Sequence, residues 1–220
     1  MPPIAREDLI RGAEADAPKL TVGVLAVQGA FDAHRRVIER LGQRVRLIRL
    51  PEELDGLDAV ILPGGESTTM SKLLLFNGLF EPLQRAIAAG LPTLGTCAGM
   101  IIAARTVLDG RADQRSLGSI DISVRRNAFG RQVDSFETAL PVTGLDGGSF
   151  PAVFIRAPVV TGIGPSVRVL AEIDGDPVFC VAGDVFVTAF HPELSGDDRI
   201  HRLLIAAARA VRSTITSLNA

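Results

Sequence analysis

Short, mostly apolar runs recur along the first half of the chain, and each is closed by a glycine, a proline or a reactive side chain. Leu20 to Val27 ends at Gln28-Gly29, Ala59-Val60-Ile61-Leu62 at Pro63-Gly64-Gly65, and Leu91 to Leu94 at Gly95-Thr96-Cys97-Ala98-Gly99. Apolar side chains on consecutive positions suit strands covered on both faces, which is the condition of a parallel sheet. Between the runs the period changes. Phe31, His34, Val37, Ile38 and Leu41 recur at helical spacing, and Gly42 supplies a stop. Val45 to Leu50 reads as a further strand closed by Pro51, and Thr68 to Ala89 as helix broken at Asn77-Gly78. Met100 to Ala104 reads as a buried helix after the cysteine turn. Strand and helix alternating in this way predict a parallel sheet with helices on both faces.

From about Ser119 the pattern shifts to strands: Ser119 to Val124, Val133 to Leu140, Val153 to Ile155, Val167 to Ile173 and Val178 to Val181. Asp174-Gly175-Asp176 reads as a hairpin turn. Val185 to Phe190 is one more apolar strand, ending in His191-Pro192-Glu193. In the last helix Ile200, Leu203, Leu204, Ala207, Ala208 and Val211 line one face, with Ser195, Asp197 and Asp198 at its start. The expected fold class is α/β: three layers, a mostly parallel central sheet with helices on both faces, plus additional antiparallel strands. Residues 1–19 read as a loosely ordered extension and residues 20–215 as a single domain, since 220 residues at 47% hydrophobic suffice for one core.

A formal net charge of -2 gives no electrostatic case for nucleic acid or an anionic membrane. Cys97 and Cys180 are the only cysteines, too few for a disulfide framework or a metal cluster. No stretch resembles a signal peptide or a membrane span, so a cytoplasmic protein is expected.

In open α/β sheets, sites form at the carboxyl ends of strands. Four segments with reactive or permissive chemistry converge there: Gln28-Gly29, Gly64-Gly65-Glu66-Ser67, Cys97-Ala98-Gly99 and His191-Pro192-Glu193. A small-residue turn from strand to helix exposes a nucleophile and leaves the helix's first N–H groups facing what it attacks. The helix start also lowers the cost of a thiolate. By itself Cys97 is as readily a core residue, and His191-Pro192-Glu193 an ordinary strand-closing turn. Together they supply nucleophile, base and orienting acid for acyl transfer, with Gly65 and Ala98 as backbone donors to an oxyanion. Glu66 has two open roles, binding a substrate ammonium or serving as the acid at a helix start beside Ser67 and Thr68. Gln28 either steadies the Gly64-Gly65 peptide or closes its strand. His34 reads as a satisfied, half-buried histidine, His201 as solvent-facing and Cys180 as core.

These motifs resemble the class I (triad) glutamine amidotransferases, and more closely the glutaminase subunits of pyridoxal 5'-phosphate synthase. The resemblance runs from about Leu20 to the last helix. It rests on Val27-Gln28-Gly29-Ala30, Leu62 to Met70, Gly95 to Met100, Arg126 to Glu137, Phe154-Ile155-Arg156-Ala157-Pro158 and Phe190 to Leu194. It implies a flavodoxin-like fold and a Cys97, His191, Glu193 triad. It also implies that Gly65, Glu66, Ser67, Arg126, Ile155 and Arg156 hold L-glutamine. The implied activity is hydrolysis of glutamine through a cysteinyl thioester without metal or organic cofactor. The implied partner is a separate synthase subunit in a hetero-oligomeric complex, which receives the ammonia. Glycine at both Gly64 and Gly65 would let their peptide exchange carbonyl for N–H on docking. Rival readings are the glutaminase of another amidotransferase, a γ-glutamyl hydrolase or peptidase, and a non-catalytic binding subunit.

Overall fold

The computed structural model describes residues 18–126 and 135–218. Most of the expected N-terminal extension and the Val133 end of one expected strand lie outside those residues. A seven-stranded sheet forms the centre. Its elements are β1 (Thr21–Leu25), β2 (Arg44–Ile48), β3 (Ala59–Leu62), β4 (Thr93–Thr96), β10 (Arg168–Ile173), β11 (Asp176–Ala182) and β12 (Val185–Thr188). Their order is β10-β11-β12-β4-β3-β1-β2. From β12 to β2 every pairing is parallel, whereas β11 and β10 add antiparallel strands at one side. All residues of β3 and β4 are buried, as strands with helices on both faces require.

The helices are α1 (Phe31–Arg40), α2 (Ser67–Phe76), α3 (Phe80–Ala88), α4 (Ala98–Ala103) and α5 (Arg199–Leu218). The break between α2 and α3 falls at Asn77-Gly78 for a local reason. Gly78 takes a positive φ of 66°, and the N–H groups of Gly78 and Leu79 bond back to the carbonyls of Leu75 and Leu74. Buried Leu74 and Leu79 close this helix end with an apolar contact. The start of α5 is held by Asp197, whose carboxylate accepts from the Arg199 N–H at 2.9 Å.

Two smaller sheets complete the described chain. One has the order β5 (Ala104–Val107), β6 (Ile120–Arg125), β9 (Val159–Ile163); the other pairs β7 (Ser135–Leu140) with β8 (Phe150–Ile155). The sequence reading gave no strand at β5 or β9. Ala104 belongs to β5 rather than closing the helix before it, since α4 stops at Ala103 and the chain turns to extended backbone. The strand expected over Val185 to Phe190 ends at Thr188.

Close packing sets the central architecture. A Cβ at Gly99 would overlap the Leu62 carbonyl, and one at Gly95 would sit 2.8 Å from the Gly99 carbonyl. The backbone of α4 therefore lies directly on β3 and on the strand that leads into it. Gly99→Ala should cost about 1–3 kcal/mol or more, because backbone rather than a flexible side chain opposes the methyl. Thermal unfolding checks this: a lower melting temperature is expected, and an unchanged one would contradict the contact.

Candidate active site

The strand registers bring the predicted segments to one edge. Leu62 lies opposite Gly95, and Thr96 opposite Thr188, so the chain leaves β3, β4 and β12 side by side. Cys97 sits on the turn from β4 to α4 with φ 50° and ψ -104°, a left-handed conformation that a residue with a Cβ adopts only under constraint. Its N–H is tied to the Thr188 carbonyl at 2.8 Å. The thiol is 3.8 Å from the Ile155 carbonyl oxygen.

His191 is placed by neighbours remote in sequence. Its N–H donates to the Val153 carbonyl of β8 at 2.8 Å, and the preceding Phe190 packs on Phe150, Phe154 and Phe179. Proline follows, and a 3-10 turn over Pro192–Leu194 swings Glu193 behind the imidazole. His191 Nδ1 meets Glu193 Oε1 at 2.7 Å, with the Glu193 side chain fully buried. Burial alone would lower the His191 pKa, but its contacts with Cys97 and Glu193 carry it up to about 10. Burial works against charge on Glu193, yet His34 and His191 beside it hold its carboxyl down at about 2. Sulfur, imidazole and carboxylate thus follow one another, and the imidazole is poised to carry a proton.

A cleft of about 360 Å³ opens above this group. Gln28, Gly64, Gly65, Glu66, Ser67, Cys97, Ala98, Arg126, Ile155, Arg156 and His191 all line it, whereas Glu193 stands behind its wall. The Gly64 carbonyl accepts from the Ala30 N–H at 2.9 Å, so the Gly64-Gly65 peptide is tied in one orientation. Gln28 Oε1 accepts from the Glu66 N–H at 2.9 Å, the next peptide along from the one expected. A side chain at Gly64 would strike the His191 ring, so glycine is required there, and one at Gly65 would displace the Gln28 amide from its place beside the Glu66 N–H.

Glu66 takes the helix-start role: its carboxylate accepts from the N–H groups of Thr68 and Thr69 and from the Thr69 hydroxyl at 2.7–3.0 Å. Burial would raise its pKa, but these bonds hold it at about 2, so it remains an anion facing the cleft. Arg126 Nη1 lies 3.9 Å from Glu66 Oε1 and donates to Thr68 Oγ1 at 2.7 Å. The pair offers one positive and one negative group 3.9 Å apart, a match for a zwitterionic amino acid head.

Several residues of this site escaped the sequence reading. Gln114 donates to Ser67 Oγ and accepts from Thr68 Oγ1 and Arg126 Nη1, tying the cleft wall together. Asp109 accepts from the Arg126 N–H at 2.8 Å. Both lie in a polar loop with no local pattern to mark them. His201 is a correction: it is fully buried, not solvent-facing, because the buried stripe of α5 runs through Ile200, His201, Leu204, Ile205 and Ala208, while Leu203, Ala207 and Val211 of the expected face are half-buried. His34 is likewise fully buried rather than half-buried, against Thr96 and His201.

Burial lowers the pKa of both these histidines, that of His201 to about 3 from 6.5. They are neutral in the fold and would take up protons on unfolding. Stability from such groups is complete above the unfolded pKa of 6.5 and is lost as pH falls towards the native value. Melting temperature should therefore decline between about pH 7 and pH 5, and His201→Leu should flatten the decline. A flat wild-type profile over that range would contradict it.

The chain matches the SNO glutamine amidotransferase family over residues 24–210. It is 55% identical over 187 residues to the pyridoxal 5'-phosphate synthase subunit PdxT of Corynebacterium jeikeium, covering 84% of this chain and 95% of that one. The subunit of the same name from Deinococcus radiodurans is 53% identical over 192 residues, covering 86% of this chain and 97% of its own. Among solved structures, one described as a glutamine amidotransferase is 46% identical with a TM-score of 0.81, covering 85% of this chain and 98% of that one. With the fold, the cysteine turn and these likenesses together, the chain belongs to the SNO glutamine amidotransferase family.

Proposed function

We propose that the chain is the glutaminase subunit of a pyridoxal 5'-phosphate synthase, with Cys97, His191 and Glu193 as its catalytic residues. The observation that carries the reading is that Cys97 and His191 line one cleft while Glu193, behind its wall, holds His191 Nδ1 at 2.7 Å. The chain around it is more than half identical to two PdxT subunits over nearly their whole lengths. L-glutamine enters with its carboxylate towards Arg126 and its ammonium towards Glu66, beside Ser67 and the Ile155-Arg156 backbone. His191 takes the Cys97 proton, and the thiolate attacks the side-chain carboxamide carbon. The oxyanion forms next to the N–H groups of Gly65 and Ala98, neither of which donates to a described residue. Collapse of this adduct breaks the C–N bond, and the His191 imidazolium protonates the leaving nitrogen as ammonia. Water activated by the same imidazole then cleaves the thioester to glutamate and restores the thiol.

The ammonia passes to a separate synthase subunit, which joins it to ribose 5-phosphate and glyceraldehyde 3-phosphate. Work in the cytoplasm suits the chemistry, since a reducing compartment keeps Cys97 as a thiol. Among the described residues no helix is long and apolar enough to cross a membrane.

Two measurements test the reading. Cys97→Ala should reduce glutamine hydrolysis to background, and Arg126→Gln should raise the KM for glutamine about tenfold or more while changing kcat less. Mixed with a pyridoxal phosphate synthase subunit, the chain should make cofactor formation depend on glutamine. Formation that proceeds with ammonium salts but never with glutamine would contradict the assignment.

A further inference from the structure

The chain contains three histidines, and the fold gathers all of them into one line with Glu193. One carboxylate oxygen, Oε1, meets His191. The other, Oε2, forms no hydrogen bond with a described residue and lies 3.3 Å from His34 Nε2. His34 Nε2 is also 3.1 Å from Thr96 Oγ1, and its Nδ1 is 3.0 Å from His201 Nε2. The line draws on α1, β4, α5 and the turn after β12, and both added imidazoles are wholly excluded from solvent. Glu193 is faced by His34 and His191, His191 by Cys97 and Glu193, and Arg40, itself paired with Asp198, acts on His201.

Proton counting gives the line a direction. Burial keeps His34 and His201 neutral, so each has one N–H donor and one acceptor nitrogen. Ionised Glu193 only accepts, so the His34 hydrogen belongs on Nε2; a lone pair there would oppose the carboxylate. His34 Nδ1 must then accept, which puts the His201 hydrogen on Nε2. His201 Nδ1 is then left unprotonated, and it has no partner among the described residues.

We propose that His34 is a positioning residue: held by Thr96 and His201, it sets the positive Nε2–H edge of its ring 3.3 Å from the free Oε2 of Glu193, so that Oε1 stays on His191 Nδ1. The inference rests on the triad reading above. A carboxylate bound only through Oε1 can rotate about its last side-chain torsion, and small misplacement of a catalytic group is costly. The polar contacts of His34 run to Thr96, His201 and Glu193, none of which lines the cleft, so its loss should act on turnover rather than on glutamine binding.

The test uses tag-free full-length chain with its synthase partner, comparing wild type, His34→Leu, His34→Gln and Cys97→Ala. His34→Leu should lower kcat about 10- to 100-fold with KM for glutamine little changed. The alkaline limb of its pH profile, set by His191, should move to lower pH, because a misaligned carboxylate holds the imidazolium less firmly. His34→Gln, which retains an N–H near the same place, should restore most of both. Wild-type kcat and pH limb in both variants would overturn the inference, as would equal losses in both with the limb unmoved, the mark of packing alone. Should His34→Leu fail to fold, nitrogen NMR of the three histidines in the wild-type protein decides: Nε2–H on His34 and His201 supports the inference, and Nδ1–H on His34 overturns it. An active Cys97→Ala would instead defeat the triad reading itself. An inactive Cys97→Ala beside a normal His34→Leu would defeat only the role given to His34.

Discussion

The contact between the α4 backbone and β3 is the constraint on which the site depends. Helix and strand can approach this closely only because Gly95 and Gly99 carry no side chain. The approach leaves so little room between β4 and α4 that the chain turns in a single residue, Cys97, at positive φ. The turn presents the sulfur at the sheet edge and leaves the N–H groups that begin α4 free of intrahelical partners. A looser junction would still give an α/β sheet, but it would not fix a thiol beside an imidazole.

The partner groups arrive by a different route. His191 and Glu193 follow β12, which pairs with β4, so sheet register alone brings them near Cys97. Their orientation comes from outside the central sheet. The β7–β8 pair supplies the Val153 carbonyl that holds the His191 N–H, and it carries Ile155 over the thiol. Behind them, α1 and α5 each contribute one buried histidine to the acid's far side. The β7–β8 pair and the helices α1 and α5 are therefore parts of the site's support, each reaching it through one or two polar contacts.

The parallel core was legible because the runs around β1 and β3 are mostly apolar and closed by glycine or proline, while β4, Thr93–Thr96, is marked by the small-residue turn that follows it. The helix break at Asn77-Gly78 was legible because its glycine allows the positive φ that the helix end adopts. The short strands β5 and β9 were not. Ala104 continues the apolar run of Met100 to Ala103, and Val159 to Ile163 contains a glycine and follows a proline. Their strand state is set by pairing with β6, a tertiary fact. In the site, Cys97 stood out because it sits among small residues between a strand and a helix, and His191 and Glu193 because they lie just beyond the apolar strand β12. Gln114, Asp109 and the His34–His201 pair gain meaning only from neighbours far along the chain. A helical wheel that counted Ile205 along with Leu204 and Ala208 would have placed that histidine inside.

The central claim is that the Cys97 sulfur is made nucleophilic by His191 and directed into a glutamine-shaped cleft. Cys180 offers an internal control, being fully buried in β11 with its thiol pushed by burial up to about 12. The direct measurement is covalent labelling by a diazoketone analogue of glutamine, read by peptide mass spectrometry in the presence of the synthase subunit. The account predicts one label per chain, on Cys97 alone, lost in His191→Ala and suppressed by excess glutamine. Label distributed to Cys180, or labelling of Cys97 that ignores both glutamine and His191, would contradict it.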